Sequence, residues 1–169
     1  MHRKTCTRYN VPGHAHALTF TCKDRQPLLD SDAARQLFVE SLAAARETRK
    51  FHLWVYVIMP EHVHVLLCPQ QAEYSISDIL RAIKRPMSFR ARQRGLVHTP
   101  GFWLPGGGYD TNLTDPQAVH NEVEYIHNNP VRRALCGRPE DWHYSSAAFW
   151  AGRTDVPLEM DRTLPAVLG

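Results

Sequence analysis

The first third of the chain changes from an alternating pattern of polar and apolar residues to a helical one. Residues 14–24, with the sequence HAHALTFTCKD, alternate and contain β-forming side chains, which predicts a first strand. In the segment that follows, four apolar residues recur at helical spacing: Leu37, Phe38, Leu42 and Ala45. Ser31 or Asp32 is a suitable N-cap, so a helix is predicted after this strand.

Two apolar runs in the middle of the chain predict a second and a third strand. Residues 51–59 and 62–68 are both rich in valine and leucine. Only Pro60 and Glu61 separate them, so a tight hairpin connection is expected.

The two segments after this hairpin combine regular patterns with residues that interrupt them. Residues 75–95 have a helical pattern but include Pro86. Because a residue before proline avoids the helical conformation, this helix is predicted to kink or split near Arg85. Residues 101–113, GFWLPGGGYDTNL, predict a short strand and then a glycine-rich loop.

The last clear helix lies in the sequence TDPQAVHNEVEYIHNNP, residues 114–130. Thr114 or Asp115 can cap it, Pro116 suits its first position, and Pro130 is predicted to end it. The remaining C-terminal sequence contains aromatic residues but has weak periodicity. It is therefore predicted to form short helical turns and a tail that wrap the domain.

The predicted order is β-α-β-β-α-β-α followed by a tail. This order is typical of an α+β fold with a ferredoxin-like split β-α-β antiparallel sheet, and we expect helices on one face plus a C-terminal extension. The 169 residues fit one domain, 1–169, because they are enough to bury a sizeable core. We expect its core at about residues 10–149 and its tail at 150–169.

Composition narrows the function classes only slightly. The formal net charge of +3 is compatible with a nucleic-acid partner without pointing to one. The four cysteines lie far apart and form no CxxC pair, so a cysteine-based zinc site is not expected. No run approaches the roughly 18 apolar residues of a membrane span, and the N-terminal stretch lacks the apolar segment of a secretion signal. We therefore expect a cytoplasmic protein without a membrane partner.

His62 and His64 form the first candidate chemical pair. Residues two apart in a strand point to the same face, so both imidazoles can bind one metal ion. The alternative is an incidental pair, because two ligands do not complete a coordination sphere. His14 and His16 repeat the same spacing in the first strand, so the spacing alone does not decide.

Tyr125 is the candidate nucleophile. At about 100° per residue it lies off the apolar stripe of its helix, and Asn129 lies next to it one turn later. A tyrosine on the flank of a helix usually packs and makes one hydrogen bond. From these residues alone, a nucleophile beside a metal and a structural tyrosine both remain open.

Four sequence blocks occur in a fixed order, and together they are specific: PEHVHVLL, FWLPGGGYD, YIHNNPVR and PEDWHYSS. In this order the chain resembles the single-tyrosine HUH transposases of insertion sequences, in particular the group associated with repetitive extragenic palindromes. His62-Val63-His64 matches the HUH triplet, and Tyr125 matches the tyrosine of the Y-I-x-x-N/Q segment. The resemblance runs from about residue 10 to residue 149.

Three features depart from the family pattern. Leu104 stands where a glutamine is common, the run 106–108 consists of three glycines, and Pro86 interrupts a helix that relatives tend to keep continuous. These departures concern contacts with DNA more than the chemistry.

The resemblance implies a transposase and nuclease that cleaves and rejoins single-stranded DNA near hairpins through a 5′-phosphotyrosine intermediate. It implies Tyr125 as the catalytic nucleophile. His62, His64 and Asn129 would bind a divalent metal ion, either Mg²⁺ or Mn²⁺. Imidazole ligands favour Mn²⁺, whereas phosphate chemistry often uses Mg²⁺, so the ion stays open.

Eight residues are candidate DNA contacts: Arg81, Lys84, Arg85, Arg92, Trp103, Tyr109, Arg132 and Arg133. The basic residues would bind phosphates and the two aromatic residues would stack on unpaired bases. The alternative for the basic residues is a solvated helix face, and the alternative for Trp103 is packing in the core.

Two other functions remain open at this point. One is a catalytically silent, domesticated protein that binds hairpin DNA, and the other is a metal-dependent hydrolase that uses water as its nucleophile. Relatives include both homodimers and monomers, and the sequence does not decide whether this chain forms a homodimer.

Overall fold

The computed structural model describes residues 6–106 and 108–168. The order of its strands and helices is β1 (Ala15–Thr21), α1 (Asp32–Arg49), β2 (Phe51–Ile58), β3 (His62–Pro69), α2 (Ile76–Gln93), β4 (Tyr109–Leu113), α3 (Pro116–His127), α4 (Asn129–Arg132) and α5 (Ala147–Trp150). Two single 3₁₀ turns, Lys23–Arg25 and Pro139–Asp141, lie between them.

The four strands form one antiparallel sheet with the order β2-β3-β1-β4. This order confirms the α+β class and the split β-α-β pattern, because β3 lies between the two strands that α1 connects. The central strand β1 places Thr19 opposite His64 of β3 on one side and opposite Tyr109 of β4 on the other.

Helices α1 and α2 pack together on one face of the sheet. Ser31 caps α1 by accepting a hydrogen bond from the Ala34 N–H at 3.2 Å, as one of the two predicted caps. The inner side chains of α1 contact alternate residues of β1, among them Leu18 and Phe20. Phe38 of α1 is fully buried against Phe20, so this face holds the larger part of the core.

The expectation of helices on one face only is wrong, because α3 covers the opposite face. Its Val119 and Ile126 pack with a second buried cluster that includes Ala17, Val57 and Leu66 of the sheet. Strands β1, β2 and β3 each contribute buried apolar residues to both faces, so the second face also has to be removed from water. The long, continuous apolar run of β2 already indicated a strand that is buried on both faces.

Helix α2 is continuous through Pro86, so the predicted kink or split is not observed. Proline removes one backbone hydrogen bond, but Ile83 and Met87 on either side of it are fully buried. Packing of this apolar stripe outweighs the lost bond. Helix α3 ends at His127, before Pro130, as predicted. Pro130 lies in the first turn of the short helix α4, where its missing N–H is not needed.

The predicted strand around Trp103 is displaced along the chain. Trp103 makes only an isolated bridge with Cys22, and the regular strand β4 begins after the glycines, at Tyr109. Tyr109 therefore lies in a strand and not in a loop as predicted. Gly107, the middle residue of the glycine run, lies outside the described residues.

The C-terminal tail follows the outer edge of β2. The Asp161 N–H donates to the Leu53 carbonyl at 2.9 Å, and the Asp161 carboxylate accepts from the Leu53 N–H at 2.8 Å. Farther along, Thr163 accepts from the indole N–H of Trp54 at 2.8 Å. The tail thus covers the edge strand, as the wrapping prediction required. Within the two described ranges, no helix is long and apolar enough to cross a membrane.

His127, at the end of α3, anchors that helix to the C-terminal segment. Its Nε2 lies 2.8 Å from the Ser146 hydroxyl, which also bonds the backbone of Tyr56 in β2. Burial lowers the pKa of His127 from 6.5 to about 4. The folded protein therefore holds this imidazole neutral over a pH range in which the unfolded chain protonates it.

We expect the folded state to lose stability as the pH falls from 6.5 towards 4, because the unfolded state then binds a proton that the folded state excludes. His127 alone should account for about 2 kcal/mol of the loss between neutral pH and about pH 5. Urea unfolding at the two pH values, compared with His127→Gln, measures it. An equal acid loss in His127→Gln would contradict the assignment.

Candidate active site

His62 and His64 present their Nε2 atoms to one point on the α3 side of the sheet. These two atoms lie 3.0 Å apart. The side-chain amide of Asn129, at the start of α4, lies 2.9 Å from Nε2 of His64. His64 and Asn129 are each only 8% exposed. The three residues predicted to bind metal are therefore brought together from β3 and from the segment after α3.

The opposite nitrogen of each histidine is held by a neighbouring oxygen. Nδ1 of His62 donates to the Glu61 carboxylate at 2.9 Å, and Nδ1 of His64 lies 2.9 Å from the Thr19 hydroxyl. Such contacts fix the ring orientation and leave Nε2 free for a metal ion. Glu61 faces His62 because β3 begins only at His62 and Glu61 lies in the turn before it.

The electrostatics of this cluster favour neutral imidazoles. Burial, together with the charges of His62 and Arg132, lowers the pKa of His64 to about 3. Burial also lowers the pKa of His62, although the hydrogen bond to Glu61 opposes that shift. For Glu61, burial raises the pKa, but hydrogen bonds from Arg133 and His62 outweigh it and the net shift is downward. Neutral imidazoles next to an ionised carboxylate are the protonation states that metal binding requires.

The second histidine pair, in β1, does not converge in this way. His14 lies 3.0 Å from the Asn112 amide. His16 is fully buried, 2.7 Å from the Asp110 carboxylate and 2.8 Å from the Tyr74 hydroxyl. Both histidines are thus hydrogen-bonded to other side chains, and the pair has a structural role.

Tyr125 lies on the edge of α3 above the histidines, as its position off the apolar stripe predicted. Its ring meets the His64 ring edge-on, with centroids 6.3 Å apart, and its side chain is about half exposed. The Arg132 guanidinium covers the other side of the ring at 4.3 Å and donates to the Tyr125 carbonyl at 2.9 Å. The phenol is thereby held beside the cluster of candidate metal ligands and open to solvent.

An open cleft of about 380 Å³ connects these groups. Its lining residues are Ala17, Thr19, His62, His64, Tyr109, Thr111, Glu122, Tyr125 and Asn129. Tyr109 forms the far wall and is 72% exposed. Glu122, one turn before Tyr125, was not predicted as a site residue, and burial raises the pKa of its carboxyl group. Its position on the Tyr125 flank of the helix was the only available signal.

The donor set fits a divalent ion that keeps open positions. In the two described ranges, no three histidine, cysteine, aspartate or glutamate side chains are arranged to hold a metal. The candidate site therefore depends on the amide of Asn129 as its third donor. The amide nitrogen of Asn129 faces His64 in this structure, and turning the amide by 180° would present its oxygen instead. Two imidazole nitrogens and this oxygen would all be neutral, so the ion would retain its charge for an anionic substrate.

A second, larger groove of about 760 Å³ lies beside α2, on the opposite face of the sheet from the cleft. Its lining residues are Lys84, Arg85, Ser88, Phe89, Arg92, Gln93, Gly101 and Trp103. Three of the basic residues predicted to contact DNA, Lys84, Arg85 and Arg92, thus share one groove. Phe89 stands among them and is 68% exposed. Sequence reasoning missed Phe89, although its place between Arg85 and Arg92 on one helix was visible.

The other predicted DNA contacts have different surroundings. Trp103 is 8% exposed and packs against Phe20 and Phe38, so only its edge reaches the groove and the core alternative holds. Arg81 pairs with Asp78 on the surface of α2. Arg132 covers Tyr125 and Arg133 pairs with Glu61, which places both arginines at the cleft.

Comparison with known proteins links this geometry to a family. Residues 10–129 match the family described as "Transposase IS200 like". The chain is 22% identical over 152 residues to the REP-associated tyrosine transposase of Escherichia coli (strain K12), covering 90% of this chain and 87% of that protein. A solved REP-associated tyrosine transposase bound to a REP hairpin shares the fold, with a TM-score of 0.74 at 19% identity over 96% of this chain and 98% of that one. Because the family match spans well over half of the chain, the protein belongs to the IS200-like transposases.

Proposed function

We propose that the protein cleaves and rejoins single-stranded DNA near hairpins, with Tyr125 as the nucleophile and a divalent metal as the cofactor. The observation that carries this proposal is the shared cleft of Tyr125, His62, His64 and Asn129. All four belong to one chain, so a homodimer is not needed to complete the site.

The proposed reaction is a transfer of the phosphodiester to the protein. The Tyr125 hydroxyl oxygen attacks the scissile phosphorus, the oxygen–phosphorus bond forms, and the bond from phosphorus to the 3′ oxygen breaks. The DNA 5′ end stays on the tyrosine, the phenol proton passes to water, and the departing 3′ oxygen takes a proton from water to become a 3′ hydroxyl. The phosphotyrosine is itself a phosphodiester, so the energy of the broken linkage is kept. A 3′ hydroxyl can therefore later reverse the step without an external energy source.

The chain's own residues prepare the nucleophile. A free phenol has a pKa of about 10, so its ionised form is scarce at neutral pH. The Arg132 guanidinium stacks 4.3 Å from the centre of the Tyr125 ring, and this contact holds the phenol at the cleft. When bound by His62, His64 and Asn129, the metal ion would neutralise charge that develops on the phosphate.

The groove beside α2 supports binding of a DNA segment away from the cleavage point. No acidic residue lines it, and its three cations can neutralise phosphates while Phe89 offers a face to an unpaired base. The solved structure with the shared fold is bound to a REP hairpin, and hairpin DNA is therefore the ligand that we propose here.

We expect Phe89→Ala to weaken hairpin binding by about 5- to 150-fold, because one stacked base contributes about 1–3 kcal/mol. Arg92→Ala should weaken binding and also reduce the slope of log affinity against log salt by about 1. Fluorescence anisotropy with labelled hairpins at several salt concentrations measures both. Tyr9→Ala, which removes an exposed aromatic residue outside the groove, is the control. Equal affinities for wild type and Phe89→Ala would remove Phe89 from the binding surface.

The proposal is tested by incubating the protein with single-stranded hairpin oligonucleotides from its genomic flanks, with Mn²⁺, Mg²⁺ or a chelator. The products are separated on a denaturing gel. We expect a metal-dependent covalent protein–DNA adduct and a free 3′ end. Metal-dependent cleavage without any adduct would instead favour the hydrolase. Tight, salt-sensitive binding without cleavage of any flanking hairpin would favour the domesticated binder.

A further inference from the structure

We propose that Glu61 is a positioning residue that ties the metal-binding strand to the segment after the nucleophile helix. This inference rests on the proposed function. Neither the family pattern nor the set of candidate ligands assigns a role to Glu61. We infer that its carboxylate orients His62 and fixes the segment that carries Asn129.

The first half of the argument is the anchoring of Glu61 itself. Its carbonyl accepts a hydrogen bond from the Cys22 N–H at 2.8 Å, and the Pro60 carbonyl accepts one from the Leu29 N–H at 3.0 Å. Pro60 and Glu61, in the turn between β2 and β3, are thus both bonded to the segment after β1. The Glu61 side chain is 18% exposed, so a fixed backbone holds a largely buried carboxylate.

The second part of the argument is that His62 and Arg133 meet at one carboxylate oxygen of Glu61. Oε1 of Glu61 lies 2.9 Å from Nδ1 of His62, and the same oxygen accepts a hydrogen bond from the Arg133 guanidinium. The backbone N–H of Arg133 in turn donates to the Asn129 carbonyl at 3.1 Å. A series of hydrogen bonds therefore connects His62, through Glu61 and Arg133, to the helical turn that begins at Asn129.

The contact at the second histidine provides a contrast. Thr19 holds Nδ1 of His64, but it belongs to the same sheet and adds no connection to α3 or α4. Arg133 is 48% exposed, so without the Glu61 carboxylate it would turn into solvent. Loss of Glu61 is thus expected both to free the His62 ring and to loosen the helical turn of Asn129. Loss of Arg133 should loosen only the turn of Asn129.

The test compares Glu61→Ala, Glu61→Gln and Arg133→Ala in the full-length protein. Mn²⁺ binding is followed without DNA by electron paramagnetic resonance of the free ion. Adduct formation with a flanking hairpin is then timed at saturating Mn²⁺. Asp141→Ala is the matched control, because Asp141 is also a carboxylate that bridges two basic side chains, here Arg138 and Arg153, but on the surface. Thermal unfolding midpoints verify that each variant is folded.

We expect Glu61→Ala to raise the Mn²⁺ concentration for half-saturation by about 10- to 100-fold, the usual effect of removing a partner of a metal-bound histidine. Glu61→Gln keeps an acceptor oxygen and should recover part of the affinity. Arg133→Ala should bind Mn²⁺ more nearly as the wild type does, yet form adduct more slowly at saturating Mn²⁺. The Asp141→Ala control should match the wild type in both measurements.

Mn²⁺ affinity and adduct rate of Glu61→Ala within about twofold of the wild type would overturn the inference. If Glu61→Ala fails to fold, Glu61→Gln and Arg133→Ala decide, and wild-type values for both would overturn it as well. Failure of the proposed function is a different result, in which the wild-type protein itself forms no adduct. In that case the Mn²⁺ comparison alone still decides whether Glu61 positions His62.

Discussion

Tyr125→Phe is expected to abolish the covalent adduct and, with it, cleavage of the hairpin substrate. The substitution removes one oxygen, which is the atom that we propose to bond to the scissile phosphorus. Activity should fall by at least about 10³-fold, as when an enzyme loses its nucleophile. Folding and hairpin binding should persist, because the ring still meets His64 and Arg132. The denaturing gel reports the adduct, and anisotropy reports binding.

Tyr109→Phe is the matched comparison, because it removes the same atom from the other tyrosine of the cleft. Tyr109 lies on the opposite wall, at the start of β4, while Tyr125 stands edge-on to His64. We therefore expect the adduct to persist in Tyr109→Phe, with any change confined to DNA affinity. Loss of the adduct in Tyr109→Phe and its survival in Tyr125→Phe would reverse the assignment. Adduct-free cleavage that survives in Tyr125→Phe would identify water as the nucleophile.

The parts of the fold that depend on local pattern were predictable. The spacing of His62 and His64 predicted a shared face, and the helical period placed Tyr125 beside the buried stripe. Both statements involve residues close in sequence, whose relative positions follow from the geometry of a strand or a helix. The antiparallel order also followed, because short connections leave few ways to arrange β-α-β-β-α-β elements.

The parts that depend on tertiary register were not predictable. Thr19 bonds His64 only because β1 and β3 pair in the register Thr19↔His64, which no pattern within β1 indicates. The bond between Glu61 and Arg133 joins residues 72 positions apart. The prediction at Pro86 failed for another reason. The local preference of proline favoured a break in α2, and the burial of Ile83 and Met87 outweighed that preference. Long-range packing decided each of these cases.

The glycine run, which departs from the family pattern, also gains a physical explanation at its last position. Gly108 has φ of +65°, and a Cβ atom there would overlap the carbonyl oxygen of Thr19 and lie 2.8 Å from its carbonyl carbon. The backbone before β4 thus passes directly over β1. Thr19 is the residue that holds His64, so the close approach lies immediately beside the candidate metal site.

Gly108→Ala is expected to displace the start of β4 from β1 and to destabilise the fold by at least about 2 kcal/mol, since strain at positive φ adds to a backbone overlap. Because the overlap is with Thr19, the His64 ring should also lose its fixed orientation. We expect weaker Mn²⁺ binding and slower adduct formation in the population that remains folded. Urea unfolding and Mn²⁺ titration measure the two effects.

Gly95→Ala separates the two causes, because Gly95 has nearly the same φ, +68°, but nothing within 4 Å of a Cβ atom. It should therefore show only the conformational cost of about 1 kcal/mol and retain wild-type Mn²⁺ affinity. If both alanine variants lost equal stability and bound Mn²⁺ equally well, the contact with Thr19 would have no role. A larger loss confined to Gly108→Ala would instead mean that the glycine is required for the approach of β4 to β1, and that this approach determines where Thr19 holds His64.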